Sequence, residues 1–344
     1  MESLIIRADA STQTGTGHLM RCLALAQGWK DAGGDVTFIT ACQGEGLLQR
    51  LRDEEFDIKL LSSAYPDTAD WNFTRDILAG HPCAWVVLDG YNFDDAYQQM
   101  VKETGHKLLA IDDMANLKHY YADVVLNQNS HAEQLHYFCE PYTRLLLGTR
   151  YVLLRREFLA WKEWHREIPE VARRVLVTLG GGDSENNTLK VIHALQEVGI
   201  PDLEANVVIG ASNPHASVLE QAVKQSCIPI RLVRDTRNMP ELMAQADIAV
   251  IVGGVTLWEL LFMGCVMISY DRNSIQEAII SQLGRENVLK YIGHLDRMVE
   301  GSLSSTIREL SRDQNKRCNI FISGRQIVDG KGIERIMDVI RDLQ

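Results

Sequence analysis

Through the first half of the chain, short continuous runs of Leu, Ile and Val alternate with stretches in which apolar residues recur every three or four positions. The runs fall at residues 4–6, 36–40, 58–61, 85–88, 108–111, 124–126 and 145–147. Because each run is apolar throughout, rather than at every second position, the pattern predicts parallel strands covered on both faces. Between the first two runs, over residues 17–32, Leu19, Cys22, Leu23, Ala26 and Lys30 trace one mostly apolar stripe, which predicts a helix. The rhythm is that of repeated βαβ units.

It breaks at residues 155–172, RREFLAWKEWHREIPEVA, which the spacing predicts as a charged, Trp-containing helical piece closed by Pro169. It restarts with strands expected at 174–179, 207–209, 230–233, 248–252 and 266–269. A final helix is expected over 332–343, with Ile333, Ile336, Val339 and Ile340 on one face. The expected architecture is α/β, two doubly wound Rossmann-like domains facing across a cleft. They would span residues 1–160 and 170–344 and join near residue 165, with the last helix free to pack back on the first domain. Open parallel sheets take ligands beyond the carboxyl ends of their strands, so the loops that follow strands are where chemistry is expected.

Composition narrows the class of ligand. A chain of 344 residues exceeds the size at which one core stops growing. Its formal net charge of −11, with no long Lys/Arg stripe, excludes a phosphate-backbone binder and a partner of anionic membranes, and leaves a small molecule. Seven cysteines, at 22, 42, 83, 139, 227, 265 and 318, are scattered without a CxxC pair and read as buried thiols of a reducing compartment. The opening MESLIIRADA lacks a basic leader and reaches Arg7 and Asp9 early, and no apolar run approaches a membrane span. A cytoplasmic protein, monomeric or weakly dimeric and without a cofactor, is expected.

Four strand-end loops carry candidate chemistry. Gly15-Thr16-Gly17-His18 stands where a strand hands over to a helix. A GxG there lets backbone amides approach an anion, and a histidine at a helix start is disfavoured as a cation, which suits a general base. Read alone, the stretch is equally a tight turn with a capping or packing histidine. Leu179-Gly180-Gly181-Gly182-Asp183-Ser184 is a second glycine-rich turn, with a plain turn as its bland reading. In Gly253-Gly254-Val255-Thr256-Leu257-Trp258-Glu259, the glycines and Thr256 suit a diphosphate and Glu259 suits two ribose hydroxyls. The alternative there is that Glu259 is a solvated first-turn carboxylate favoured by the helix dipole. Last come Asp89-Gly90-Tyr91 and Ile111-Asp112-Asp113, acids that belong to loop caps or else bind sugar hydroxyls or orient a base. No third glycine completes a dinucleotide fingerprint at Met20, and DxD, GxxxxGK[ST], HExxH and GxSxG are absent. His131 and His136 form no metal-ligand set and read as surface residues.

These motifs together resemble those of the two-domain sugar-nucleotide fold called GT-B. More closely, the chain resembles the PseG family, hydrolases of a UDP-linked diacetamido-trideoxy-altropyranose in pseudaminic acid biosynthesis, and its relatives in spore-coat polysaccharide synthesis. The resemblance rests on RADA at 7–10 with GTGHLMR at 15–21, IDD at 111–113, NQN at 127–129 and LGTRY at 147–151. It continues with VTLGG at 177–181, GGVT at 253–256 with Glu259, and VDGKG at 328–332. It implies that His18 activates water against the anomeric carbon and expels UDP with inversion, without a metal. It further implies that Gly17 faces the diphosphate and that Asp9, Tyr91, Asn127, Gln128 and Asn129 lie on the sugar side. Gly181, Gly182, Gly253, Gly254, Thr256 and Glu259 would hold UDP. The sequence differs from the family's pattern at Gly90, at Cys265 and across Asn273 to Gln276. A glycosyltransferase using a UDP-sugar donor and a non-catalytic UDP-sugar binder are the rival readings.

Overall fold

The computed structural model describes residues 2–11, 15–181, 183–210, 213–297 and 299–343. The chain divides into two α/β units, Met1–Arg156 with Gly330–Gln344, and Glu157–Asp329. The first holds a seven-stranded, wholly parallel sheet: β1 (Leu4–Ala8), β2 (Val36–Thr40), β3 (Asp57–Leu60), β4 (Trp85–Asp89), β5 (Lys107–Ile111), β6 (Val124–Asn127) and β7 (Arg144–Leu147). Their order in the sheet is β3-β2-β1-β4-β5-β6-β7. The second holds six parallel strands: β8 (Arg174–Thr178), β9 (Glu204–Ile209), β10 (Ile230–Arg234), β11 (Ile248–Val252), β12 (Val266–Asp271) and β13 (Lys290–His294). These are arranged β10-β9-β8-β11-β12-β13. Each unit is a Rossmann-like doubly wound sheet. The chain steps outward from β1 on one side and returns to β4 on the other, and the second unit repeats this at β8 and β11.

The central strands are buried on both faces: every residue of β1, β4 and β11 is shielded from solvent. Burying each Leu- or Ile-sized side chain there is worth roughly 1.5–3 kcal/mol. A polar residue in such a strand must therefore be paired. Arg7 in β1 meets this with two carboxylates, Asp9 through Nη1 and Nη2 at 2.6 and 2.7 Å and Asp70 through Nε and Nη2 at 3.1 and 2.5 Å.

The first helix, Gly17–Asp31, is buried almost all round, His18, Arg21 and Gln27 included, because it is covered twice, by the sheet and by the last helix, Gly332–Asp342. That last helix belongs to the first unit, where Ile336, Met337 and Ile340 join its core. Gly332 makes the approach possible, since a Cβ there would lie 2.2 Å from the Val152 carbonyl oxygen.

Three sequence expectations change. The helical piece at 155–172 shrinks to one turn, Arg156–Leu159. Phe158 is its one fully buried side chain, and Arg166 further on is spent on the carbonyls of Met243, Ala246 and Met263, so nothing rewards a longer helix. Strand β13 was not expected. It sits at the sheet edge with all five residues half-buried, and so carries no continuous apolar run. Of the seven cysteines, Cys22, Cys42 and Cys265 are buried, but Cys83 and Cys227 are exposed, so the reading of all seven as buried thiols is corrected. Among the described residues no helix is long and apolar enough to cross a membrane.

Candidate active site

His18 is the second residue of the helix that follows β1, and Asp89 is the last residue of β4. β1 and β4 are the neighbours at which the strand order reverses, so both side chains stand at the switch point of the first sheet. His18 Nδ1 lies 2.6 Å from Asp89 Oδ1. Arg21, one helical turn on and therefore on the same face, grips Asp89 with two donors, Nε to Oδ2 at 2.7 Å and Nη2 to Oδ1 at 2.7 Å. The same guanidinium grips Asp113 just beyond β5, Nη1 to Oδ1 at 2.8 Å and Nη2 to Oδ2 at 3.0 Å. Asn129, beyond β6, donates Nδ2 to Asp113 Oδ1 at 2.8 Å, and the Tyr91 hydroxyl donates to Oδ2 at 3.2 Å. The Tyr91 ring meets the imidazole edge to face at 4.6 Å while remaining 52% exposed. Four neighbouring strands, β1, β4, β5 and β6, thus converge on one network.

The electrostatics settle the histidine's tautomer. Burial would push the Asp89 carboxyl up, but the Arg21 charge and then His18 outweigh it and hold it well below the usual carboxylate range. Asp113 is lowered in the same way, burial being outweighed by Arg21. With Asp89 ionised, the 2.6 Å contact requires a proton on Nδ1, and the Arg21 nitrogen 3.3 Å from that atom has no lone pair to address. The neutral ring therefore carries its lone pair on Nε2, which has no hydrogen-bond partner among the described residues. The network sums to one cation against two carboxylates. Nε2 is the atom at which the ring can take a proton.

The acid stability follows from the same pairing. Carboxyls depressed in the folded state contribute fully above their unfolded values, about pH 4, and the contribution is lost as pH falls through the folded ones. The urea midpoint is expected to hold between about pH 7 and 5 and to fall steeply below about pH 4. A midpoint rising into acid would contradict the pairing.

The residues expected on the sugar side separate. Tyr91 and Asn129 join His18, and Gly17 opens its helix. Asp9 instead spends its carboxylate on Arg7 and on the Ala41 amide at 2.7 Å. Asn127 is wholly buried, donating to the Tyr137 hydroxyl and accepting from the Asn129 amide, and Gln128 accepts from the Leu153 amide. Asp112 is a loop cap, accepting from Met114 and Ala115 amides and from the hydroxyls of Tyr120 and Tyr137. His131, read from the sequence as a surface residue, is corrected. Its Nδ1 is shielded without a partner among the described residues, and burial pushes its pKa down against the nearby charges of Asp113 and Asp112. Arg21 was not singled out as a functional residue. Its signal was present all the same, a cation three positions from His18 facing acids at the ends of strands. A cavity of about 30 Å³, room for about one water, adjoins His18, Arg21, Tyr91, Asp112 and Asp113. Among the described residues no His, Cys, Asp and Glu side chains are grouped to hold a metal ion.

In the second unit the two glycine turns also mark a switch point, Gly180-Gly181 after β8 and Gly253-Gly254 after β11. Gly182 lies outside the described residues. Gly254 has φ +128°, a backbone conformation open to glycine, and precedes the helix Val255–Phe262. Thr256 is half-buried in that helix's first turn. Glu259 is 2% exposed, which excludes the solvated first-turn carboxylate. A larger depression of about 880 Å³, lined by residues such as Arg285, Lys290 and Lys316, holds none of these groups.

Two open α/β units, each with its distinctive residues at a switch point, define the GT-B type of fold. MurG of Acinetobacter baumannii aligns with a TM-score of 0.67 over 99% of this chain and 100% of its own, at 14% identity. A UDP-glucosyltransferase from Polygonum tinctorium aligns with a TM-score of 0.68 over 99% and 98%, at 13% identity. In sequence the chain is similar to the spore coat polysaccharide biosynthesis protein SpsG of Bacillus subtilis, 25% identical over 98% of this chain and 97% of that protein. It is similar also to the UDP-2,4-diacetamido-2,4,6-trideoxy-beta-L-altropyranose hydrolase of Campylobacter jejuni, 25% identical over 84% of this chain and 99% of that one. No family model matches.

Proposed function

We propose that the protein hydrolyses a UDP-linked deoxy-amino sugar to the free sugar and UDP, in nonulosonic (pseudaminic) acid or surface polysaccharide biosynthesis. The observation that carries this reading is the His18–Asp89 pair, an imidazole held at Nδ1 by a carboxylate that stays ionised, with Nε2 left to accept a proton. The hydrolase and the spore-coat protein to which the chain is similar support the substrate class.

In the reaction, a water oxygen forms a bond to the anomeric carbon as the bond from that carbon to the diphosphate oxygen breaks. The water proton passes to His18 Nε2, and the bonding pair leaves with UDP. Asp89 holds the ring's direction and stabilises its charge, and Arg21 keeps Asp89 ionised. The leaving diphosphate gains charge. Helix N-termini such as that opened by Gly254 are suited to bear it, as their amides are unpaired and their dipole is positive.

The test is product analysis by NMR with a panel of UDP-sugars. Free sugar appearing first as the inverted anomer, together with UDP and without an acceptor, is the expected result. Release of UDP only when an acceptor is added would replace hydrolysis by transfer, and tight binding without turnover would replace both by a binding role.

A further inference from the structure

Beyond Asp271, the last residue of β12, stands Arg272, directly before Asn273 to Gln276, where the sequence departs from the family's pattern. In the sheet β8, β11 and β12 are consecutive, and Arg272 reaches from the β12 end to the β8 end. Its Nη2 lies 3.3 Å from Asp183 Oδ1, and a Cβ built on Gly180 would lie 3.7 Å from its Nη1. The strand it passes is β11, which ends in Gly253-Gly254. Its stem is tied to that turn, because Gln276 accepts from the Arg272 amide at 2.9 Å and donates to the Gly253 carbonyl at 3.2 Å.

Asp183 does not depend on Arg272. Its Oδ1 already accepts from the Asn187 amide at 3.0 Å, and its Oδ2 accepts from the Thr188 amide and hydroxyl at 2.8 and 2.6 Å. The contact at 3.3 Å is the longest of the four, and the guanidinium, only 30% exposed, has it as its one ion pair among the described residues. Burial pushes its pKa down despite Asp183 and Asp296, so the cation is left short of negative charge. The same edge of the sheet holds a donor without an acceptor. Asn213, beyond β9, is 6% exposed and its Nδ2 has no partner among the described residues. A part-buried arginine with one long contact, anchored through Gln276 to the Gly253-Gly254 turn, is placed to take an anion there.

We propose that Arg272 recognises the diphosphate of the nucleotide, turning from Asp183 to the phosphate oxygens at the Gly253-Gly254 turn. The inference rests on the reading of the second unit as the nucleotide-holding side. Exchange of one long contact for a forked, charge-assisted pair makes Arg272 a specificity-determining residue for nucleoside diphosphate over nucleoside.

Calorimetric titration of the full chain with UDP and with uridine tests this. Arg272→Gln should weaken UDP binding about 10–100-fold, leave uridine unchanged, and recover in part as Arg272→Lys, which restores the charge without the fork. UDP affinity unchanged in a folded Arg272→Gln variant overturns the role of Arg272 and leaves the nucleotide reading standing. Equal losses for UDP and uridine overturn it too, since the effect is then not on the diphosphate. If the parent protein binds neither UDP nor uridine, the nucleotide reading itself falls.

Discussion

His18→Ala is expected to reduce turnover of the UDP-sugar by about 10²–10⁴, the usual contribution of a positioned general base, while UDP binds as tightly as before. The two expectations separate because His18 belongs to the first sheet's switch point, whereas the residues assigned to UDP belong to the second. The substitution also removes one donor from Asp89 and the edge contact to Tyr91, yet leaves both grips of Arg21 on Asp89. The fold should therefore survive, with a melting shift of a few degrees at most. Single-turnover kinetics beside UDP titration provide the check. A variant that turns over at the parental rate removes His18 from the reaction, and one that loses UDP affinity in proportion moves it from chemistry to binding.

Much of the frame was legible in the sequence because parallel strands buried on both faces announce themselves as unbroken apolar runs. β1, β4 and β11 are of this kind. β13 and the segment around Trp161 were not, for opposite reasons. The first is an edge strand whose half-buried residues leave no run to see. The second has apolar residues at helical spacing but no neighbour that rewards a helix. Trp161 and Trp164 instead pack edge to face on each other at 5.6 Å.

The site was legible only in part. His18 and the glycine turns stand out locally, since a strand end, a glycine and a helix start are all readable within a few residues. What surrounds His18 is not local: Asp89 is 71 positions away and Asp113 is 92 from Arg21. Only the sheet order, which puts β1 beside β4 and β5 next to that, brings them together. Asp89 and Asp113 were visible as acids in strand-end loops, but pattern alone gave them no partner. Asn127 and Gln128 illustrate the reverse error. The resemblance puts them on the sugar side, yet their side chains are buried among the loops they brace.

Asp89→Asn is expected to lower turnover by about 10⁴, the cost of the same change where a buried Asp orients a catalytic His in hydrolytic triads. The reason lies in the count of donors. Asp89 accepts one hydrogen bond from His18 on Oδ1 and two from Arg21, one on each oxygen, besides a weaker one from the Cys22 thiol on Oδ2. An asparagine has one acceptor, so its amide nitrogen must oppose either Arg21 Nε alone or His18 together with Arg21 Nη2. Placed towards Arg21 it sets donor against donor and strips a buried cation of half its compensation. Placed towards His18 it forces Nδ1 to become the acceptor, which moves the proton to Nε2 and removes the lone pair that takes a proton from water. Breaking one side of so buried a pair also costs about 3–5 kcal/mol of stability, a loss that a fold of ordinary stability survives at reduced temperature. Asp113→Asn separates the two effects. It also opens a buried pair with Arg21, but it leaves the Asp89 contact to Nδ1 intact. Measured at equal folded fraction, Asp89→Asn should lose far more turnover than Asp113→Asn, with imidazole nitrogen shifts showing the exchanged tautomer in the first variant only. Equal losses in the two variants, with the tautomer unchanged, would reduce Asp89 to a brace of the fold.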